Sequence, residues 1–180
     1  CFSRPNDLYA SPVINSFSRQ NLELIKAVTK LIREDCGIPI DYIFSSIQLN
    51  DSTTTEEHED QHNRGPSVTA SFGHFTGGEL RILSNRRVWQ TFASQNQWIL
   101  FDGAYTHTVT PYEVAPPSSA RYSIVIFLHD TVDRLSDVDR QWLRDAGFRL
   151  EPDPRARAAA FLDKDTSDED SDGLRRYKRG

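Results

Sequence analysis

Seven short runs rich in β-branched and aromatic residues succeed one another in the middle of the chain: Tyr42–Leu49, Ser67–Phe72, Leu80–Leu83, Val88–Phe92, Trp98–Phe101, His107–Tyr112 and Tyr122–Leu128. Turn residues separate them, among them Asn50-Asp51, Thr76-Gly77-Gly78, Asp102-Gly103 and Pro116-Pro117. Strands of this length at this spacing predict an all-β sandwich or barrel. In the second run Val68, Ala70 and Phe72 alternate with Ser67, Thr69 and Ser71, the pattern of a half-buried antiparallel strand. Tyr122–Leu128 is apolar almost throughout and is expected near the centre of a sheet.

Helices are expected on either side. Residues 1–17 show no period, but Leu22, Ile25, Val28, Leu31 and Ile32 then recur at three- and four-residue steps, as on one face of a helix. Ser18 is the expected N-cap, with Gly37 as the stop and Pro39 beyond it. A second helix is expected from Ser136, where Asp139 completes a start like a capping box. Val138, Trp142, Leu143 and Ala146 would share its buried face and Gly147 would end it. The expected class is therefore mainly β with flanking helices.

At 180 residues the chain is long enough for one domain with a proper core. The expected domain is 1–162, with its barrel at about 41–129, followed by a charged, apolar-poor tail at 163–180 that is expected to be disordered. The basic cluster Arg175, Arg176, Lys178 and Arg179 has the composition of an import signal or a nucleic-acid contact, but a solvated tail is the preferred account of it. No Met occurs anywhere, so the chain is expected to be a domain taken from a longer protein. No run approaches the roughly 18 apolar residues of a membrane span. Cys1 and Cys36 are too few for a disulfide framework or a thiolate metal site, and fit a reducing compartment. The net charge of −5 lacks the basic excess of a stand-alone nucleic-acid binder.

Chemistry is expected where the strands end. His58 and Asp60 form a His-x-carboxylate pair just after one strand, and His107 opens another after the Asp102-Gly103 turn. With 5 His and 26 acidic residues in the chain, chance alone supplies roughly 0.7 such pairs, so the pair by itself proves nothing. Order and placement raise its value, because neighbouring strand ends of a barrel converge although far apart in sequence. Two imidazoles and one carboxylate on one face of an ion form the facial triad of non-haem Fe(II) oxygenases. Arg121, at the start of a later strand, offers the cationic fork that the distal carboxylate of 2-oxoglutarate needs. Ser123 lies on the same face of that strand, and Asn50 or Tyr42 on the preceding strand would add another donor. Taken singly, His107 reads as a surface imidazole and Arg121 as a charged strand opener. Zinc is the rival metal, but it gives Arg121 no task. His74 and His129 read as structural.

The order His58-x-Asp60, Gly77-Gly78-Glu79-Leu80, Phe101-Asp102-Gly103, His107, Arg121-Tyr122-Ser123 resembles the 2-oxoglutarate/Fe(II) dioxygenases. Those enzymes have a double-stranded β-helix, a jelly-roll or cupin-like barrel. The match spans about 41–128. The stretch His58-Glu59-Asp60-Gln61-His62-Asn63, with Gly65 and Ser67 after it, is similar to the TET/JBP branch, which oxidises methyl groups on pyrimidine bases in DNA. The resemblance implies Fe(II) on His58, Asp60 and His107, 2-oxoglutarate held by Arg121, Ser123 and Asn50, and O2 as the oxidant, with ascorbate as a stimulant. It places His62 and Asn63 against a flipped 5-methylcytosine or thymine, and implies methylated DNA as partner in an intracellular, nuclear setting. Tyr105 or Phe75 would stack on that base, and Arg64, Arg86 and Arg87 would supply phosphate contacts. The chain departs from the branch in lacking a cysteine-rich zinc-binding region and a basic DNA-binding face. Two alternatives stand beside this reading: a prolyl-type protein hydroxylase on the same barrel, and a non-catalytic cupin-like module. The oligomeric state is left open.

Overall fold

A computed structural model of the chain describes residues 2–3, 12–34, 37–39 and 41–151. Cys1, Cys36 and the 163–180 tail lie outside the described residues. The leading elements are a short strand pair, β1 (Phe2–Ser3) with β2 (Val13–Ile14), then α1 (Ser16–Gln20) and α2 (Leu22–Glu34). The strands that follow are β3 (Ser46–Asp51), β4 (Ser67–Phe72), β5 (Phe75–Gly77), β6 (Leu80–Leu83), β7 (Trp89–Phe92), β8 (Ile99–Phe101), β9 (His107–Val109), β10 (Tyr112–Val114) and β11 (Tyr122–Phe127). A 3₁₀ turn (Asp130–Arg134) and α3 (Asp137–Asp145) complete the fold.

The strands form two facing antiparallel sheets. One runs β3-β11-β4-β8 and the other β7-β6-β9. An isolated bridge between His58 and His107 extends the second sheet by one more row. The chain thus crosses between the two sheets from the His58 bridge to β4, β6, β8, β9 and β11, with β6 and β7 as a hairpin within one sheet, the order of a double-stranded β-helix. The apolar run at β11 is central as expected, with β3 on one side and β4 on the other. The small pair β5 and β10 forms a separate clasp beside the barrel.

The period-two geometry of β11 explains where core and cavity lie. Ile124 and Ile126 point to a core shared with Ile25, Ile32, Phe44, Val68, Ala70 and Leu143. Arg121, Ser123, Val125 and Phe127 point the other way and line a cavity between the sheets. A second apolar cluster, Leu80, Ile82, Phe92, Ile99 and Phe101, closes the space between the sheets. Strand β4 corrects the expectation of a half-exposed face, because Ser67, Thr69 and Ser71 are as buried as Val68 and Ala70. Their hydroxyls are satisfied inside the barrel: Thr69 donates to the Ile124 carbonyl at 3.0 Å and Ser71 meets the Ser94 hydroxyl at 2.8 Å.

The helices need three corrections. Asn15, not Ser18, caps the first helix, accepting the Ser18 N–H at 2.8 Å, and Ser18 is buried within α1. Leu31 is 47% exposed and Val138 75% exposed. At about 100° per residue Leu31 stands about 110° from the Ile25–Ile32 line, and Val138 about 140° from Leu143. Ser136 does cap α3, accepting the Asp139 N–H at 3.1 Å, and Gly147 follows its end at a φ of 94°. However, the Asp139 carboxylate takes the Ser136 hydroxyl and Arg19, so the reciprocal half of a capping box is not formed. Strand bounds also differ. Tyr42 and Ile43 precede β3 outside any strand, and Pro111 splits the expected 107–112 run into β9 and β10, since proline donates no ladder hydrogen bond.

Candidate metal centre

His58 and His107 exchange both backbone hydrogen bonds, at 3.1 and 2.9 Å, so their rings project side by side with centroids 4.2 Å apart. Each ring is oriented from behind. Nδ1 of His58 lies 2.8 Å from the Glu56 carbonyl, and Nδ1 of His107 lies 2.8 Å from the Tyr105 carbonyl. A carbonyl only accepts, so each Nδ1 carries the proton and each Nε2 presents a lone pair. Both Nε2 atoms lie 3.8 Å from the Asp60 carboxylate, one from each oxygen.

The Asp102-Gly103 turn places that carboxylate. The Asp60 N–H donates to the Gly103 carbonyl at 2.8 Å. A Cβ on Gly103 would stand 2.5 Å from Asp60 Oδ2 and 3.0 Å from Asp60 Cβ, so glycine is needed here for proximity. From the other side Asn63 Nδ2 donates to Asp60 Oδ2 at 2.8 Å and to the Ser67 hydroxyl at 3.0 Å. The three ligand atoms lie within 4.8 Å of one another. An ion bonded to each at about 2.1 Å holds neighbouring ligand atoms about 3 Å apart in an octahedron, so the set closes on a contraction of about 0.8 Å for each 3.8 Å contact and at most about 1.8 Å for the widest pair. The residues present therefore fit a small divalent ion. Burial pushes the His107 pKa below the usual imidazole value, against the opposing pull of the Tyr105 carbonyl and the Asp60 charge. The neutral, metal-binding form of His107 is thereby favoured.

The cavity beside these ligands holds about 130 Å³, room for roughly four waters at about 30 Å³ each and well below a drug-sized pocket. Its polar lining includes Gln48, Asn50, Thr69, Ser94, Arg121 and Ser123. Asn50 and Ser123 are paired across β3 and β11, and Asn50 Nδ2 donates to the Ser123 hydroxyl at 3.1 Å. That leaves the Ser123 proton available to an acceptor in the cavity.

Arg121 is 3% exposed, yet no carboxylate lies within ion-pair distance of it among the described residues. Its Nη2 donates to the Gly78 carbonyl at 3.1 Å, and its buried Nε has no partner. Burial lowers its pKa, but a guanidinium keeps its charge in proteins. A buried, unpaired cation with an orphaned donor costs free energy unless an anion meets it. A small dicarboxylate reaching from the metal position to Arg121 meets that requirement.

The remaining sequence candidates are placed elsewhere. Tyr42 is not a cavity donor; its hydroxyl lies 2.9 Å from the carbonyls of Pro66 and Ile126 on the core side, and burial raises its pKa. His62 stacks on His129 and its Nδ1 lies 3.3 Å from Asp130, outside the cavity lining. Arg64 is engaged by Asp133 at 2.7 Å. Arg86 and Arg87 occupy the exposed turn between β6 and β7, and Tyr105 accepts a hydrogen bond from Asn85 there. Phe75 packs against Arg121. Sequence reasoning missed Gln48, Thr69 and Ser94 as lining residues. Only the inward parity of β3 and β4 marks the first two, and Ser94 lies between strands.

Fold and site together define a jelly-roll barrel with two imidazoles and one carboxylate gathered at its mouth. No family model matches the chain, and no curated protein does either. Among solved structures, the chain is similar to an oxidoreductase of the 2OG-Fe(II) oxygenase family from Burkholderia pseudomallei, at 22% identity and a TM-score of 0.43. The likeness covers 65% of this chain and 59% of that one.

Proposed function

We propose that this chain is a 2-oxoglutarate- and Fe(II)-dependent dioxygenase, and that its substrate is the methyl group of a pyrimidine base, 5-methylcytosine or thymine, in DNA. One observation carries the first part. His58, Asp60 and His107 converge within 4.8 Å at a cavity whose other lining includes the buried, carboxylate-free Arg121. Two nitrogens and one oxygen on one face suit Fe(II) with open positions, and the guanidinium explains what zinc alone would leave idle. Iron bound there would supply O2 activation: O2, 2-oxoglutarate and a methyl group yield CO2, succinate and a hydroxymethyl group.

This chain's own residues bind and orient. His58, Asp60 and His107 hold the metal. Arg121 grips the distal carboxylate of the co-substrate through a charge-assisted pair, with the Ser123 hydroxyl as a second donor and Asn50 fixing the orientation of Ser123. Leu80, Phe101, Val109, Val125 and Phe127 form the apolar part of the lining and exclude water.

The nucleobase reading rests on the stretch from His58 to Asn63 and its likeness to the TET/JBP branch. It requires the base to be flipped out of the duplex, at a cost of a few kcal/mol, and it implies an intracellular, nuclear setting. His62 and the Asn63 carbonyl oxygen are the groups assigned to the base edge. The test is 2-oxoglutarate turnover with Fe(II) and ascorbate against methylated DNA, RNA and basic peptides, with products read by mass spectrometry. Hydroxymethyl product on DNA is expected. Product on peptides alone would leave the dioxygenase and remove the DNA substrate, and no succinate under any condition would remove both.

A further inference from the structure

The guanidinium of Arg121 is held by more than hydrogen bonds. Its Cζ lies 5.3 Å from the centre of the Phe75 ring and 5.2 Å from that of Tyr112. The two rings stand edge to face, 6.2 Å apart at 68°, so the cation sits in the corner between them. Both rings come from the β5–β10 clasp, which pairs Tyr112 with Gly77 and Val114 with Phe75. Gly78 closes the corner from a third side: its carbonyl takes Nη2, and a Cβ there would stand 2.8 Å from Nε.

The clasp is fastened to the barrel only a few residues away. The Thr110 hydroxyl donates to the Glu79 carboxylate, and Gly78 N–H donates to the Pro111 carbonyl at 3.1 Å. That hydroxyl bond is also the first cause of the lowered Glu79 pKa. Among the described residues, the groups that hold the Arg121 guanidinium are the two clasp rings and the Gly78 carbonyl just after β5, and none of them is an anion. An arginine steered by a carboxylate would be neutralised before a ligand arrived. Ring faces attract the cation through their quadrupole and leave its full charge for a ligand.

We propose that Tyr112, together with Phe75, is a positioning residue for the co-substrate: the ring corner fixes the Arg121 guanidinium and so sets the affinity for the distal carboxylate. This rests on the dioxygenase reading above and adds residues to it that touch no reacting atom. The role belongs to the ring face. Among the described residues no hydrogen bond to the Tyr112 hydroxyl is seen, and Tyr112 is only half-buried, so it can be altered without opening the core.

The test measures 2-oxoglutarate binding to the Mn(II)-loaded protein by calorimetry, without O2, for wild type, Tyr112→Leu and Tyr112→Phe. Tyr112→Leu is expected to bind about 3- to 30-fold more weakly, the range of a desolvated cation–π contact, with Mn(II) affinity unchanged. Tyr112→Phe is expected to bind like wild type. In turnover, Tyr112→Leu should raise KM for 2-oxoglutarate and leave kcat at saturation nearly unaltered. Unchanged binding by Tyr112→Leu, equal losses in Tyr112→Phe, or a parallel loss of Mn(II) would overturn the positioning role alone. A wild-type protein that holds Mn(II) but takes up no 2-oxoglutarate would overturn the dioxygenase reading, and this inference with it.

Discussion

Replacing Gly103 with alanine separates the metal centre from the fold that carries it. The new methyl would stand 2.5 Å from Asp60 Oδ2, 3.0 Å from its Cβ and 3.2 Å from its Cγ. Carbon contacts relax only at about 3.5 Å or more, so the carboxylate must retreat by about 1 Å. Asp60 cannot move as a whole, because its N–H is bonded to the Gly103 carbonyl at 2.8 Å. The side chain must turn instead, which breaks the 2.8 Å bond from Asn63 and carries the oxygens away from both imidazoles. A site needs its ligands within about 0.5 Å, and disturbing such supports costs metal affinity about 10- to 100-fold. The backbone itself accepts alanine, because Gly103 is not among the positive-φ glycines. The metal-free protein should therefore melt within a few degrees of wild type, helped by about 0.4–1 kcal/mol from the stiffer unfolded chain. Co(II) titration followed by visible absorption, with a melt of the metal-free protein, reads both. Co(II) affinity within twofold of wild type would refute the reasoning.

Removing the Asn63 amide should act on the same carboxylate: Asn63→Ala is expected to weaken Co(II) binding about tenfold, and a loss seen only in substrate turnover would return Asn63 to a purely substrate-facing role. Arg121→Leu should raise KM for 2-oxoglutarate by at least about 10²-fold, as for a lost charge-assisted pair, while Co(II) affinity holds; equal loss of metal would make Arg121 structural. For pH, burial lowers His107 from its ordinary 6.5, so the unfolded chain binds this proton more readily than the folded one. Stability from the neutral ring is therefore complete above pH 6.5 and lost as pH falls from there towards the folded pKa, which denaturant midpoints across that window will show. His107→Asn should flatten the slope, and an unchanged slope would contradict the assignment.

The strand pattern carried most of the barrel because every inward position repeats at a period of two, and the turn residues between runs are few and specific. It did not carry the polarity of β4. Ser67, Thr69 and Ser71 read as a solvent face, whereas they line the interior and find partners there. A cavity that holds polar ligands inverts the usual link between polarity and exposure. The order of His58, Asp60, His107 and Arg121 was legible because strand ends meet at a barrel mouth. The supports behind them were not. The carbonyls of Glu56 and Tyr105 bear no side-chain signature, and Gly103 looked like an ordinary turn glycine until Asp60 stood against it. The corner around Arg121 was likewise hidden, since Phe75 and Tyr112 meet only through pairing of β5 with β10.

The most direct test of a shared ferrous site is an anaerobic titration of the protein with Fe(II) and 2-oxoglutarate, followed by the visible charge-transfer absorption of the chelated co-substrate. One iron and one 2-oxoglutarate per chain are expected, with the band lost in His107→Ala and Asp60→Ala and requiring far more 2-oxoglutarate in Arg121→Leu. A band that persists in both ligand variants, or iron that binds without any response to 2-oxoglutarate, would contradict the account.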